Sequence, residues 1–346
     1  VLRLSVLDQS PVPQGVTSAQ ALRNTLDLAR LADRLGYHRY WVSEHHGGPL
    51  VAGPSPEVLI GPIAAATERI RVGSGGVMLP HYSPLKVAEN FSLLAGLYPE
   101  RIDLALGRAA GTDAMTTYAL QRDRRTAAPD DFPEQLAELL AYLNDSFPGG
   151  HAFGHLAASL PGRPETPEPW LLGSSPQSAI WAADLGLPYA FADFINPHGA
   201  PIAADYRARF TPSERQRDPV TAIGAWVLVA DTEAEAQRLA ASHRMAFTLL
   251  RRGRLVAVPP VEQALRFLAS EGERPDAPAR GRSATVGAPE QVRAQLEALA
   301  HRYGAEEVIV VTITWDHDAR RRSYELLADV FDLPGAPAPT GAAAER

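Results

Sequence analysis

Short apolar runs alternate with longer amphipathic segments along almost the whole chain. Leu2–Leu7 (LRLSVL) has the make-up of a strand, and Ser18–Leu35 sets Leu22, Leu26, Ala29 and Ala32 on one face of a helix that Gly36 would end. The same reading predicts strands at Tyr37–Ser43, Ile70–Leu79, Ile102–Leu106, Trp170–Gly173, Pro188–Ala192, Thr221–Val229 and Glu307–Thr314. It predicts helices over Pro56–Thr67, Pro84–Leu97, Pro133–Leu143, Ser178–Leu185, Glu233–Leu250, Pro289–Tyr303 and Ala319–Phe331. Gly111–Asp131 reads as polar and helix-poor. Asn144–Pro169 and Arg251–Ala288 exceed ordinary connections, and the second, between the last two β runs, reads as a lid over a site.

Eight β runs that lead into helical pattern argue an α/β fold with a parallel sheet. That number in one chain favours a closed (β/α)8 TIM-type barrel with inserted loops, an open doubly wound sheet being the alternative. One domain is expected over residues 1–333, followed by a low-complexity, mobile tail at 334–346 that has nothing to bury.

Composition narrows the function classes. With 45% hydrophobic and 21% charged residues among 346, the chain has the balance of a globular enzyme. A formal charge of −7 argues against nucleic acid or an anionic membrane as partner. The lack of cysteine removes disulfides, zinc–thiolate sites, iron–sulfur clusters and thiol nucleophiles. No window approaches the roughly 18 uninterrupted apolar residues of a membrane span. The first residues run straight into a strand pattern, so no signal peptide is expected and the cytoplasm is the expected compartment.

In a parallel barrel, catalytic groups gather where strands end. The second strand leads into Glu44-His45-His46. Neighbouring strand residues face opposite ways, so the two histidines do not serve one point, and the HExxH spacing of a zinc site is absent. One histidine acting as a general base suits this exit, with a hydrogen-bonded structural role as the alternative for either. At the third exit, Gly75-Gly76 lets backbone approach a flat ligand closely, or forms a simple bulge. The fifth exit makes Ser175 the N-cap of a helix with Pro176 first and Ser178 third. Its amides, with the Ser175 and Ser178 hydroxyls facing a ligand, suit a phosphate, and Arg108 at the fourth exit adds a charge-assisted contact. A plain serine cap and a salt bridge are the alternatives. Neither a GxGxxG opening a helix nor a GxxxxGK[ST] is present, so the dinucleotide and P-loop fingerprints are missing. Tyr40, Trp41, Tyr82 and Phe194 line an apolar pocket in one reading and pack the core in the other.

In their order and spacing, LSVLDQSP, LADRLGYHRYWVSEHH, RIRVGSGGVMLP with SPLKVAENF, ERIDLALGRAAGTD and WLLGSSPQSAIWAADLGLPYAFA resemble the bacterial luciferase-like flavin monooxygenases, from Leu2 to about Leu333. Single-gene homodimeric members, some of them in antibiotic biosynthesis, are the nearest look-alikes. The resemblance implies a two-component enzyme in which reduced FMN meets oxygen. The resulting C4a-hydroperoxide oxygenates a small organic substrate, polyketide-like molecules among the candidates. It implies a catalytic His45, following Glu44, beside the flavin, and a cis peptide joining Gly75 and Gly76 under the flavin ring. Arg108, Ser175 and Ser178 match the family's FMN phosphate contacts. It also implies a separate NAD(P)H:flavin reductase, a mobile Arg251–Ala288, and a homodimer built on Pro56–Thr67 and Pro84–Leu97. The reactive cysteine beside the phosphate arginine in luciferase is Gly107 here, so no cysteine is required. A deazaflavin (F420) oxidoreductase of the same superfamily and a non-catalytic flavin-binding protein are the alternative functions.

Overall fold

The computed structural model describes residues 2–126, 130–273 and 284–335. Its strands are β1 (Arg3–Asp8), β2 (Arg39–Val42), β3 (Arg71–Met78), β4 (Ile102–Gly107), β5 (Glu168–Gly173), β6 (Tyr189–Ala192), β7 (Thr221–Val229), β8 (Ala284–Gly287) and β9 (Glu307–Val311). Strands β1 to β7 pair in sequence order and in parallel, and β9 joins β7 to β1. The eight-stranded parallel barrel is therefore closed, as the alternation implies. The extra strand β8 lies outside this ring and pairs with Trp226–Val229, the later half of β7.

The surrounding helices are α1 (Ser18–Leu35), α2 (Pro56–Ala65), α3 (Pro84–Leu97), α4 (Ala114–Leu120), α5 (Phe132–Asn144), α6 (Gly154–Ala158), α7 (Pro176–Asp184), α8 (Ala200–Arg209), α9 (Glu233–Arg251), α10 (Val261–Ser270), α11 (Pro289–Tyr303) and α12 (His317–Val330). Among the described residues no helix is long and apolar enough to cross a membrane. The α1 helix starts at Thr17, whose side chain accepts from the Gln20 amide at 3.2 Å, and ends on Gly36 at φ +86°. Its buried face is rotated from the one expected: Ala29 and Ala32 are buried as expected, but Ala21, Thr25 and Leu28 join them, while Leu22 and Leu26 are only half-buried. Polar contacts turn the helix that way. Thr25 takes the Tyr40 hydroxyl on its carbonyl at 3.0 Å and pairs its own hydroxyl with Ser10 at 2.8 Å.

Arg251–Ala288 is not one long loop. Within it α10 buries Val261, Ala264 and Leu268, and β8 extends the sheet. The Pro/Ala/Arg-rich stretch 275–282 lies outside the described residues, as does the tail beyond Gly335. The polar stretch after β4 likewise contains a helix, α4, whose start is capped by the Asp113 carboxylate.

Alternation along the strands sends one set of side chains to the helices and the other into the barrel. The lower interior is ionic. Asp103 accepts from Arg39 at 2.9 Å, from Arg71 at 2.5 Å and from the Trp41 indole at 2.9 Å. Burial pushes the Asp103 pKa up, but Arg39 and Arg71 outweigh it and hold the group below the usual carboxylate range. Above this layer Leu7, Trp41, Ala105, Trp170 and Ile309 pack together. Among the described residues the barrel is thus plugged from below, which leaves the end where the strands finish as its open side.

Candidate active site

The β3 strand outruns its neighbour. Its pairing with β2 ends at Ser74 opposite Val42, and the next peptide bond, Gly75–Gly76, is cis. On the other edge the register against β4 shifts between Gly75 and Val77, leaving Gly76 as the extra residue of a bulge. The barrel wall requires the second glycine, since a Cβ on Gly76 would stand 2.7 Å from the Ala105 carbonyl oxygen; one on Gly75 would stand 2.6 Å from the end of the Leu7 side chain, which would have to move.

Glu44 replaces the missing β2 pairing. Its carboxylate is fully buried and accepts from the Met78 amide at 2.8 Å, the Tyr82 hydroxyl at 3.0 Å and His46 Nε2 at 2.8 Å. Burial and the neighbouring Glu44 raise the Tyr82 pKa, so the phenol stays a donor. Glu44 was expected beside His45 among the catalytic residues. In the structure its three bonds tie the second exit to the third. Tyr82 is the partner the sequence reading weighed only as a pocket or core aromatic. Its place one turn after β3, behind Leu79–His81, is the one signal the chain offers.

His45 is half-buried, and its amide donates to the Gly53 carbonyl at 3.0 Å. Its Nδ1 contacts the Glu44 carbonyl oxygen, which only accepts, so Nδ1 carries the hydrogen and Nε2 is the basic nitrogen. Burial lowers the His45 pKa, outweighing the opposing pull of Glu44, with His46 adding to the depression. His46 is consumed structurally by Glu44 and packs edge-on against His81 at 5.8 Å. Among the described residues no group of three or more His, Asp or Glu could hold a metal.

The first exit is structural as well. Asp8 is buried and bonded to Tyr40 at 2.5 Å, Arg320 at 2.7 Å and the Ser10 amide at 2.7 Å. Of the four aromatics, Tyr40 faces the helices, whereas Trp41 and Phe194 pack inside the barrel.

Arg108 and α7 meet at the fourth and fifth exits. The Arg108 guanidinium is 5.9 Å from the Trp181 ring on α7 and 3.9 Å from Asp130, a loose and exposed ion pair. No side chain caps the first turn of α7, and Ser175 stays exposed. Ser178 corrects the expectation that its hydroxyl faces a ligand. It is buried and bonded to the Ser175 carbonyl at 3.0 Å and to Tyr189 at 2.9 Å. The third position of α7 points at β6, and Gly173 leaves it room, since a Cβ there would lie 2.4 Å from the Ser178 oxygen. What α7 offers an anion is its amides and Ser175, with Arg108 alongside. That set fits a flavin phosphate.

A family model described as luciferase-like monooxygenase matches residues 2–307. The uncharacterized protein YwcH of Bacillus subtilis strain 168 is 46% identical over 335 residues, covering 96% of this chain and 99% of the relative. The N-acetyl-S-alkylcysteine monooxygenase of the same organism is 38% identical over 332 residues, covering 95% and 98%. The crystal structure of apo-MsnO8 superposes with a TM-score of 0.87 at 43% identity, over 97% of this chain and 99% of that one. With a closed barrel, a cis Gly75–Gly76 step and a histidine exit beside it, the chain belongs to the luciferase-like monooxygenase family and is an oxidoreductase of the flavin-dependent kind.

Proposed function

We propose that the chain is the oxygenase of a two-component system that takes up reduced FMN at the upper mouth of the barrel. The FMN phosphate would rest on Arg108, Ser175 and the first amides of α7, and the ring against Gly75–Gly76 beside His45. The observation that carries this reading is the anion corner at the fourth and fifth exits, open at the same end of the barrel as the glycine step and His45. When bound, the reduced flavin supplies the activation of oxygen. The chain binds and orients it and excludes water, and His45 Nε2 holds or passes a proton at its side. The substrate is a small organic molecule. The name of the 38%-identical relative makes a thioether one candidate beside polyketide-like compounds. The reaction belongs in the cytoplasm, where NAD(P)H is at hand.

The deciding experiment is anaerobic titration with reduced FMN and with reduced deazaflavin, followed by oxygen and rapid-scan spectra. Binding of the deazaflavin alone would replace oxygenation by hydride transfer. In that titration Arg108→Ala should lose about 1.5–3 kcal/mol of FMN affinity, roughly ten- to a hundredfold. Ser178→Ala should leave the affinity unchanged because its hydroxyl faces Tyr189. An unaltered affinity for Arg108→Ala rules out the phosphate assignment.

The chain should also depend on a separate reductase, since it carries no strand–GxGxxG–helix unit for a nicotinamide nucleotide. Mixed with FMN and NADH or NADPH in air, it should oxidise the nicotinamide far more slowly than about 1 s⁻¹ until a flavin reductase is added. Rapid oxidation without the reductase refutes the two-component assignment.

A homodimer through α2 and α3 is favoured by Val58, Leu93 and Leu97, which are 65%, 49% and 68% exposed on those helices. Light scattering should report twice the chain mass for the parent and the single chain mass for Leu97→Glu. A monomeric parent excludes that interface.

A further inference from the structure

A cavity of about 210 Å³ opens among β7, β8, β9 and α9. Trp226, Val286, Val311 and Ile313 are among its apolar walls, and Gln237 and Gln295 also line it. Trp226 is fixed from several sides: Phe194 stacks on it at 5.6 Å, and His243 and Phe247 pack edge-on at 4.0 and 4.2 Å. Arg244 reaches the cavity too, but Glu273 answers its charge at 2.9 Å. The lining therefore sets apolar side chains beside two neutral amides, the His243 imidazole and a compensated charge, a make-up that suits an apolar group carrying one neutral polar atom.

Its place in the barrel ties it to the flavin-facing exits. Val311 follows Val310, which pairs with Val6, so it stands beside Leu7 in the ring. Leu7 is in turn the side chain against which Gly75 rests. One inner-layer position thus separates the cavity wall from the cis-glycine step. At the roughly 30 Å³ that a water-sized group takes up in a liquid, the space holds about seven heavy atoms.

We propose that this cavity receives the apolar end of the substrate, a neutral chain or small ring of about seven heavy atoms. Trp226 forms one wall, and the Gln237 and Gln295 amides hydrogen-bond a single polar atom. The assignment rests on the oxygenase reading for its role in the reaction, but not for its binding properties.

Straight-chain alcohols from 1-butanol to 1-octanol are suitable probes, titrated calorimetrically into the full-length protein with and without FMN. Binding should saturate at one molecule per chain and tighten by about fourfold per added methylene. It should level off once the chain outgrows the cavity. Ala240→Trp, which fills the space from α9, and Ala284→Phe, which fills it from β8, should each abolish that binding while FMN titrates as in the parent. Should one variant fail to fold, the other decides. Absence of saturable binding in the parent overturns the proposal, as does equal alcohol binding in the folded variants. Alcohol binding without flavin binding would sink the oxygenase reading and leave the cavity assignment standing.

Discussion

Replacing His45 by alanine should lower turnover by about 10²–10⁴ while reduced FMN still binds, because the substitution removes a proton-transfer group and leaves the anion corner intact. The Glu44 carbonyl holds the proton on Nδ1, so Nε2 presents a lone pair in a fixed orientation. Burial keeps the imidazole pKa below its ordinary value, so the neutral form prevails at pH 7. Activity should fall on the acid side, as pH drops through a value below about 6.5. The same shift has a consequence for stability. In the unfolded chain His45 takes up its proton near about 6.5 and in the folded chain only at lower pH, so the unfolded state binds more protons in that window. The His45 contribution is therefore complete above the unfolded value and is lost as pH falls through the folded one. Profiles of kcat against pH for the parent and for His45→Gln test the first point, and denaturant midpoints of the same pair across that pH range test the second. Parental turnover in His45→Ala, or an acid limb unchanged in His45→Gln, would show that the histidine is structural.

Glu44→Ala should cost about 3–5 kcal/mol of stability. Three donors converge on that buried carboxylate, and the Met78 amide, the Tyr82 hydroxyl and His46 Nε2 would all lose their acceptor. No β2 strand lies beside Met78 to compensate, because that pairing stops at Ser74. Tyr82→Phe removes one donor and keeps the carboxylate, so its loss should stay near about 1 kcal/mol. Denaturant midpoints at constant m-value measure both. A parental midpoint for Glu44→Ala would mean that other contacts hold the second and third exits together.

Much of the scaffold was legible in the chain itself. The bounds of α3 and α11 coincide with the predicted Pro84–Leu97 and Pro289–Tyr303 because proline at the first helical position marks each start and the apolar period runs unbroken. The exits follow from the strands, so Glu44, His45, Gly75, Gly76, Arg108 and Ser175 could be named without coordinates. Of the segments that escaped the reading, α8 and α10 are full helices, the latter with a clear apolar face at Val261, Ala264 and Leu268, while two others have weak local signals. The α4 helix has seven residues and buries none of them, and β8 has four residues and a single neighbour, β7.

Periodicity, proline and glycine punctuation and the order of the exits, all local properties, determined the barrel and which residues stand at its mouth. Only the tertiary structure decided what each of those side chains does. A serine at the third helical position faces a ligand or the core according to its neighbours, and Tyr189, which follows Ser178 by 11 residues, turned it inward. Strand alternation could not apportion Glu44, His45 and His46, because β2 ends at Val42 and the chain leaves its pleat before them. Their roles were set by Met78 and Tyr82, more than 30 residues away, since a buried carboxylate must be satisfied by whichever donors the closed barrel brings to it.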